Sequence, residues 1–374
     1  MHIENRLRKE LSKRLDDNNL RSLKINHGVD FSSNDYLGFA RNKKLHQLIT
    51  DKSAEFQLNG STGSRLLSGN NEMCEKLESQ LAGFFKAEAC LIFNSGYTAN
   101  LALISSIAKR GDTIVYDELA HACIKDGARL TLAERYSFKH NDLEDLKSKL
   151  NHAKGQIFII VESVYSMDGD EAPLKEIIKI AKSADAQLIV DEAHATGIYG
   201  GTGGGLSSLQ DMEDQIFARI YTFGKAMGVH GAVIAGSNVL KDYIVNFARP
   251  FIYTTALPPH SLVAIKESFN YLIDNIDLQN RLKDRVAYFN LLYTKYLSDT
   301  FTKIDSSHPI QSIVISGNNN VKKAAEAINN KGFDVRPILS PTVKSGQERL
   351  RICLHTFNTD DEIYALIDTL ANLK

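Results

Sequence analysis

The central part of the chain alternates short apolar runs with longer amphipathic stretches. The apolar runs predict buried strands at 90–93, 113–116, 157–161, 188–190 and 219–222. Stretches with apolar side chains at helical spacing predict helices at 75–86, 97–108 and 174–182. Because strands and helices take turns along the chain, we predict an α/β fold with a largely parallel sheet that is covered on both faces.

The two ends of the chain carry different patterns. Leu7, Leu11 and Leu15 lie at helical spacing before a short apolar segment, and we expect 1–45 to form an amino-terminal arm. The large domain is predicted at 46–260. A long helical stretch then leads to a second set of short strands and helices, which predicts a smaller α+β carboxyl-terminal domain at 261–374.

Composition and charge narrow the possible classes of protein. With 374 residues, 43% of them apolar and 24% charged, the chain has the composition of a globular protein. The net charge of -1 gives no electrostatic reason to expect nucleic acid or an anionic membrane as a partner. The four cysteines lack paired spacing, and 1–6 lack the apolar stretch of a signal peptide. We therefore expect a cytoplasmic location.

An acid and a lysine follow two of the predicted strands. Asp191 comes directly after the strand at 188–190, and Lys225 follows the strand at 219–222. Open α/β sheets bind their ligands at such strand ends. A pyridoxal phosphate enzyme needs a lysine that attaches the cofactor and an aspartate that keeps its ring nitrogen protonated. Each residue alone is ordinary, because most lysines are exposed charges and many aspartates only cap a helix.

Other polar residues follow further strands of the same predicted sheet. Ser95, Gly96 and Tyr97 stand between a strand and a helix, where free N–H groups and the helix dipole favour a phosphate, although such a Ser-Gly pair often only caps the helix. His121 follows the next strand and has a flat ring that can lie on a cofactor, although a lone histidine is more often structural. Glu162 and Ser166 follow a third strand. Their convergence on one edge predicts a single site.

The segment 191–194 also permits a rival interpretation, because Asp-Glu-Ala-His is the nucleotide-hydrolysis box of one helicase class. Such an ATPase also needs a Walker loop, GxxxxGK[ST]. The only Gly-Lys pair, Gly224–Lys225, is followed by Ala226 and lacks the leading glycine. A metal site at His121 and His194 has no supporting ligand spacing, and we predict no metal.

Ten stretches of the sequence together resemble the α-oxoamine synthase family of pyridoxal phosphate enzymes of fold type I. The matching stretches are 33–38, 64–69, 95–97, 121–122, 166–170, 191–194, 222–225, 254–259, 341–343 and 349–351. The resemblance covers nearly the whole chain and implies a mostly parallel seven-stranded sheet in the large domain. The chain departs from the family pattern at Cys74, where the family usually has histidine.

The resemblance also implies roles for individual residues. Lys225 would attach pyridoxal phosphate, Asp191 would pair with the ring nitrogen and His121 would stack on the ring; these are the predicted catalytic residues. The predicted cofactor-binding set is Ser95, Gly96, Tyr97, His121, Glu162, Ser166, Asp191, His194, Thr222, Lys225, and Thr254 or Thr255 from a second subunit. The predicted substrate-binding residues are Arg21, Thr342 and Arg351.

The activity that the resemblance implies is an acyl transfer in which an amino acid condenses with an acyl thioester and carbon dioxide is lost. L-alanine with pimeloyl-CoA or pimeloyl-carrier protein, as in biotin biosynthesis, is the expected pair, and the expected assembly is a homodimer. Glycine C-acetyltransferase, 5-aminolevulinate synthase and serine palmitoyltransferase remain alternatives within the family. Alternatives of another class are a homologue that binds the cofactor without catalysis and a DEAH-type ATPase.

Overall fold

The computed structural model describes residues 2–373 except 24, 26 and 57. The chain divides into two compact units. The small unit comprises the residues up to Tyr36, the segment Met167–Asp170 and the residues from Arg281 onward, and the large unit comprises Leu37–Ser166 and Glu171–Asn280. The sequence suggested domain boundaries at 45/46 and 260/261, and these boundaries stay a prediction. Apart from Met167–Asp170, the chain leaves the small unit after Tyr36 and returns to it after Asn280.

The elements are numbered in chain order over both units. The helices are α1 Ile3–Asp16, α2 Lys43–Ser53, α3 Glu72–Phe84, α4 Gly96–Ile107, α5 Ala122–Arg129, α6 Leu143–Leu150, α7 Leu174–Ser183, α8 Leu206–Leu209, α9 Asn238–Phe247, α10 Arg249–Ile252, α11 Pro259–Asp274, α12 Leu278–Tyr296, α13 Asn318–Asn329 and α14 Asp360–Ala371. The strands are β1 Val29–Asp30, β2 Ala89–Phe93, β3 Thr113–Asp117, β4 Glu134–Phe138, β5 Ile157–Glu162, β6 Ala186–Asp191, β7 Ala218–Thr222, β8 Ala232–Gly236, β9 Thr302–Lys303, β10 Ile310–Val314, β11 Phe333–Asp334, β12 Arg336–Ile338 and β13 Arg349–Cys353.

The large unit is built on a seven-stranded sheet in the order β2-β8-β7-β6-β5-β3-β4. Strands β3 to β7 pair in parallel, whereas β8 runs antiparallel to both of its neighbours. The predicted mostly parallel sheet is therefore confirmed. Its central strands are apolar along nearly their whole length because helices cover both faces. The last residues of β5 and β6, Glu162 and Asp191, lie side by side in the register of the two strands.

The small unit contains an antiparallel four-stranded sheet in the order β12-β13-β10-β9 and a short parallel pair of β1 with β11. Phe31, Phe289, Leu350 and Ile363 are buried together in its core. The segment Met167–Asp170 belongs to this unit through contacts with the two sheet strands and with Ser306. Its carbonyl groups accept hydrogen bonds from Ser312 Oγ (2.7 Å, at Met167) and from Ser306 Oγ (2.8 Å, at Gly169), and Asp168 pairs with Arg349.

Two strands of the large sheet escaped the sequence analysis. β4 is an edge strand whose side chains are mostly exposed, so it lacks an apolar run, and β8 was missed although it is apolar. The predicted helical stretch at 262–299 is divided into α11 and α12. In the part of the chain that the structure describes, no helix combines the length and apolarity needed to cross a membrane.

Candidate active site

Asp191 lies buried at the end of β6 with both carboxylate oxygens engaged. Oδ2 accepts a hydrogen bond from Asn100 Nδ2 at 2.7 Å, and Oδ1 accepts one from the Ala193 N–H at 2.9 Å. These two donors hold the carboxylate in one orientation, which suits an acid that must pair with a protonated ring nitrogen. The sequence analysis missed Asn100. Its signal was an amide side chain four residues after Gly96, next to the apolar residues at 101–104 of the same helix.

Glu162 lies beside Asp191, at the end of the adjacent strand. Its Oε1 accepts a hydrogen bond from the backbone N–H of His121 at 2.7 Å. Burial, with the charge of Asp191 as the next cause, raises the pKa of Glu162 to about 8, although Lys225 and the His121 N–H oppose the shift. At neutral pH this carboxyl group is therefore mostly protonated. Sequence reasoning placed Glu162 among the cofactor ligands, and the structure shows in addition that it holds the backbone of His121.

His121 is the residue that precedes α5, and it is exposed. Nδ1 accepts a hydrogen bond from the Cys123 N–H at 3.3 Å and lies 2.9 Å from Cys123 Sγ. The ring also meets the ring of Tyr97 edge to face at 6.2 Å between centroids. Partial burial lowers the pKa of His121; the nearby Asp191 raises it, and Lys225 lowers it further. The ring is therefore biased toward its neutral form.

Lys225 lies in the connection between β7 and β8, and it is half-buried. Its charge influences the pKa values of both His121 and Glu162, which shows that the ammonium group lies within electrostatic reach of the other site residues. A Cβ added at the preceding Gly224 would have only one atom within 4 Å, at 3.9 Å, so there is space beside the lysine backbone. His194 and Ser166 are both buried in the same unit.

The turn before α4 has the form of a phosphate cradle. Ser95 Oγ caps the helix by accepting the Thr98 N–H at 3.2 Å, and the first N–H groups of a helix have no intrahelical partner. Thr222 Oγ1 is buried and has no hydrogen-bond partner among the described residues. A Cβ added at Gly96 would lie 2.2 Å from Thr222 Cγ2, so only glycine fits there. A buried hydroxyl without a partner next to free N–H groups fits the phosphate of pyridoxal phosphate.

Tyr97, Thr254 and Thr255 lie at the surface side of this turn. Tyr97 is 45% exposed, and its hydroxyl donates to Asp126 Oδ2. The carbonyl of Thr255 accepts a hydrogen bond from Asn94 Nδ2 at 3.1 Å within the same chain. The backbone of Thr255 therefore lies beside the cradle of its own chain. That Thr254 or Thr255 contacts the cofactor of a second subunit stays a prediction.

The predicted substrate residues fall in the small unit. Arg351 is buried, and its guanidinium donates to Asn34 Oδ1 at 2.9 Å and to Cys353 Sγ at 2.9 Å. Arg21 and Thr342, which are far apart in sequence, are brought together by a hydrogen bond of 3.3 Å from Arg21 Nη2 to Thr342 Oγ1. Both of these residues are exposed.

Glu192, the second acid of the segment 191–194, has a structural function. It is fully buried and accepts hydrogen bonds from Ser163 Oγ at 2.6 Å, the Leu206 N–H at 3.0 Å and the Ser207 N–H at 2.8 Å. These bonds anchor the start of α8, directly after the glycine-rich loop at 200–205. A carboxylate committed in this way is not available to activate water, so the helicase interpretation of the segment is wrong.

Comparisons with known proteins identify the family of the chain and the fold that it shares with solved structures. The family described as "Aminotransferase class I and II" matches residues 26–370. The 8-amino-7-oxononanoate synthase of Emericella nidulans is 36% identical over 99% of this chain and 95% of its own. Among solved structures, serine palmitoyltransferase from S. paucimobilis with a bound adduct of PLP and myriocin has a TM-score of 0.88 at 25% identity, covering 98% of this chain and 96% of its own. The 8-amino-7-oxononanoate synthase of Francisella tularensis has a TM-score of 0.78 at 29% identity, covering 92% of this chain and 97% of its own.

Proposed function

The chain belongs to the aminotransferase class I and II family, and we propose that within it the chain is a pyridoxal phosphate-dependent acyltransferase that makes 8-amino-7-oxononanoate from L-alanine and a pimeloyl thioester. The observation that carries this proposal is the 36% identity to the Emericella nidulans synthase over 99% of the chain. The serine palmitoyltransferase structure has a higher TM-score than the Francisella tularensis synthase structure, but its sequence identity is lower, 25% against 29%. We therefore take it as the weaker guide to the substrate. The reaction belongs to biotin biosynthesis.

The proposed chemistry divides between the cofactor and the residues of the large unit. Bound pyridoxal phosphate supplies an electron sink for the carbanion that forms when the amino acid loses its α-proton. Asp191, held by Asn100 and the Ala193 N–H, keeps the proton on the ring nitrogen. Lys225 would attach the cofactor, and its amine, once free, would take up the α-proton of the amino acid. His194 is proposed to reach the ring hydroxyl, and Ser166 helps to hold the cofactor.

The phosphate is proposed to lie at the amino terminus of α4. Gly96 and Tyr97 supply backbone N–H groups, and Thr222 supplies the buried hydroxyl that has no partner among the described residues. His121 then covers the ring of the cofactor, and Glu162 fixes the backbone of His121. This assignment uses each of the polar groups that the large unit collects at the ends of β2, β3, β5, β6 and β7.

The substrate contacts are assigned to residues of the small unit. Arg351 is proposed to bind the carboxylate of the amino acid, because a planar guanidinium matches a carboxylate in two parallel hydrogen bonds. Arg21 and Thr342, already joined by a hydrogen bond, are proposed to contact the acyl thioester. The pimeloyl group is carried as a thioester of CoA or of a carrier protein, and the assay below includes both.

We also propose that the active assembly is a homodimer in the cytoplasm. Leu67 and Tyr253 are 85% and 73% exposed, and each lies in or beside a stretch that resembles the family, so we assign them to a surface that a second copy covers. Thr254 and Thr255, next to Tyr253, would then reach the cofactor of the partner. Support for a reducing compartment comes from the four cysteines, which are all free thiols.

A product assay tests the activity. The purified protein with pyridoxal phosphate is offered L-alanine, glycine and L-serine, each with pimeloyl, acetyl and palmitoyl thioesters of CoA, and pimeloyl-carrier protein is included. We expect the fastest release of carbon dioxide and CoA from L-alanine with a pimeloyl thioester, and a product with the mass of 8-amino-7-oxononanoate. Faster turnover of glycine with acetyl-CoA, or of serine with palmitoyl-CoA, would move the protein to another branch. Cofactor binding without any turnover would identify a non-catalytic homologue.

A further inference from the structure

Two donors converge on one ring nitrogen of His121. The Cys123 N–H donates to Nδ1 at 3.3 Å, and Cys123 Sγ lies 2.9 Å from the same atom. A nitrogen that accepts a backbone N–H carries no proton of its own, so the thiol must be the donor in the second contact. Nδ1 therefore accepts twice, and the ring hydrogen must reside on Nε2.

The electrostatic environment supports two neutral partners. Burial, followed by the charges of Asp191 and Glu162, raises the pKa of the Cys123 thiol, which keeps the sulfur protonated at neutral pH. The pKa of His121 is shifted downward by partial burial, so the imidazole stays neutral as well. Transfer of the proton from Cys123 to His121 is therefore unfavourable, because the raised pKa of the thiol disfavours the thiolate and the lowered pKa of the imidazole disfavours the imidazolium.

The other contacts of His121 hold the residue without using Nε2. Glu162 Oε1 accepts its backbone N–H, and the carbonyl of His121 accepts the Ile124 N–H at 3.0 Å at the start of α5. Among the described residues, no hydrogen bond engages Nε2. The ring thus presents a single N–H donor that no described residue satisfies.

We infer that Cys123 is a positioning residue that holds the imidazole of His121 in the Nε2–H tautomer, so that one N–H is available to an oxygen of the reacting acyl group. The part that concerns the acyl oxygen rests on the proposed function, and the part that concerns the tautomer does not. A serine at the same position would preserve the arrangement, because its hydroxyl also donates. Alanine and valine would remove the thiol donor and leave Nδ1 only the longer contact from the backbone N–H, alanine with a loss of side-chain volume and valine with a gain.

The tautomer is tested directly by NMR. Holoenzyme labelled with ¹⁵N-histidine is studied at neutral pH by long-range proton–nitrogen correlation, and the signal of His121 is identified by its loss in His121→Asn. We expect the pattern of a neutral ring protonated at Nε2 in the native protein and in Cys123→Ser. In Cys123→Ala and Cys123→Val, where only the longer contact of 3.3 Å from the backbone N–H remains, we expect a shift toward a mixture with the Nδ1–H form. A charged ring or an Nδ1–H ring in the native protein, or an unchanged pattern in both variants that lack the thiol, would overturn the inference.

Kinetics provide the second measurement. Loss of one hydrogen bond that orients the ring should lower kcat about tenfold in Cys123→Ala and Cys123→Val, while KM for the amino acid stays the same. Cys123→Ser should restore kcat to near the native value, which a purely packing role of the sulfur would not explain. If the native protein turns over no substrate, the proposed function fails while the NMR pattern still decides the tautomer, so the two failures can be told apart.

Discussion

At the scale of single residues, the large unit places two carboxyl groups side by side in different hydrogen-bonding surroundings. Asp191 accepts two hydrogen bonds, one from Asn100 and one from the Ala193 N–H, whereas Glu162 accepts only the His121 N–H among the described residues. Burial beside another acid favours the protonated form of Glu162. The sequence could place both acids at strand ends, but it could not distinguish their surroundings, because those depend on Asn100 and His121, which approach from other elements.

The raised pKa of Glu162 makes a prediction for stability. In the protein freed of cofactor, the native state keeps a proton on Glu162 between its usual pKa of 4.5 and about 8, where the unfolded chain has already released it. This contribution to stability is therefore fully present below pH 4.5 and is lost as the pH rises through 8. Glu162→Gln keeps an acceptor for the His121 N–H but cannot titrate.

We expect the free energy of unfolding of the native protein, relative to that of Glu162→Gln, to fall as the pH rises from 5 to 8. For a single proton the slope cannot exceed about 1.4 kcal/mol per pH unit. Urea denaturation at four pH values measures it, and Glu10→Gln, at an exposed position of α1, is the matched control. A constant difference across this range would contradict the assignment of a protonated Glu162.

At the scale of elements, the contact between the first residue of α4 and the last residue of β7 builds the phosphate cradle. A Cβ at Gly96 would lie 2.2 Å from Thr222 Cγ2, so Gly96→Ala should push the helix start and the strand end apart. Overpacking of this kind costs about 1 to 3 kcal/mol, and we expect the affinity for pyridoxal phosphate to fall about tenfold or more. An absorbance titration measures the affinity.

Two further variants test the physical reason. Thr222→Ser removes the methyl group that would collide but keeps the hydroxyl, so the double variant with Gly96→Ala should recover much of the lost affinity. Gly201→Ala is the control, since a Cβ there would meet no atom within 4 Å. If the double variant binds pyridoxal phosphate no better than Gly96→Ala alone, the collision with the Thr222 methyl group is not the cause of the lost affinity.

The strands that the sequence predicted differ from those that it missed in how far their own residues determine their burial and direction. β5 and β6 are buried on both faces and therefore read as apolar runs, and the turn after each collects polar residues. The direction of β8 could not be predicted, because Ala-Val-Ile-Ala-Gly has the same pattern in either direction and its pairing with β2 and β7 is set by distant parts of the chain. β4 lacks an apolar run because it lies at the edge.

At the scale of the whole molecule, the proposed homodimer predicts complementation between two inactive chains. Lys225→Ala removes the attachment of the cofactor, and a chain with Thr254→Ala and Thr255→Ala lacks the groups proposed to serve the partner's site. In a mixed dimer, one site would combine a native lysine with native threonines, so activity should reappear when the two chains are mixed after dissociation. Mixing two batches of Lys225→Ala is the control. Persistent inactivity of a mixture that forms mixed dimers would count against a shared site.

The pairing of β1 with β11 has a consequence for the order of events during synthesis. Val29 pairs with Phe333, about 300 residues later, and Phe31 packs in a core made almost entirely of residues beyond 281. At about 5 to 20 residues per second, the ribosome needs roughly 15 to 60 s to deliver those partners. The large unit, complete in sequence by Asn280, can fold during that interval. The segment at 29–31 therefore leaves the ribosome well before its partners and settles into place late.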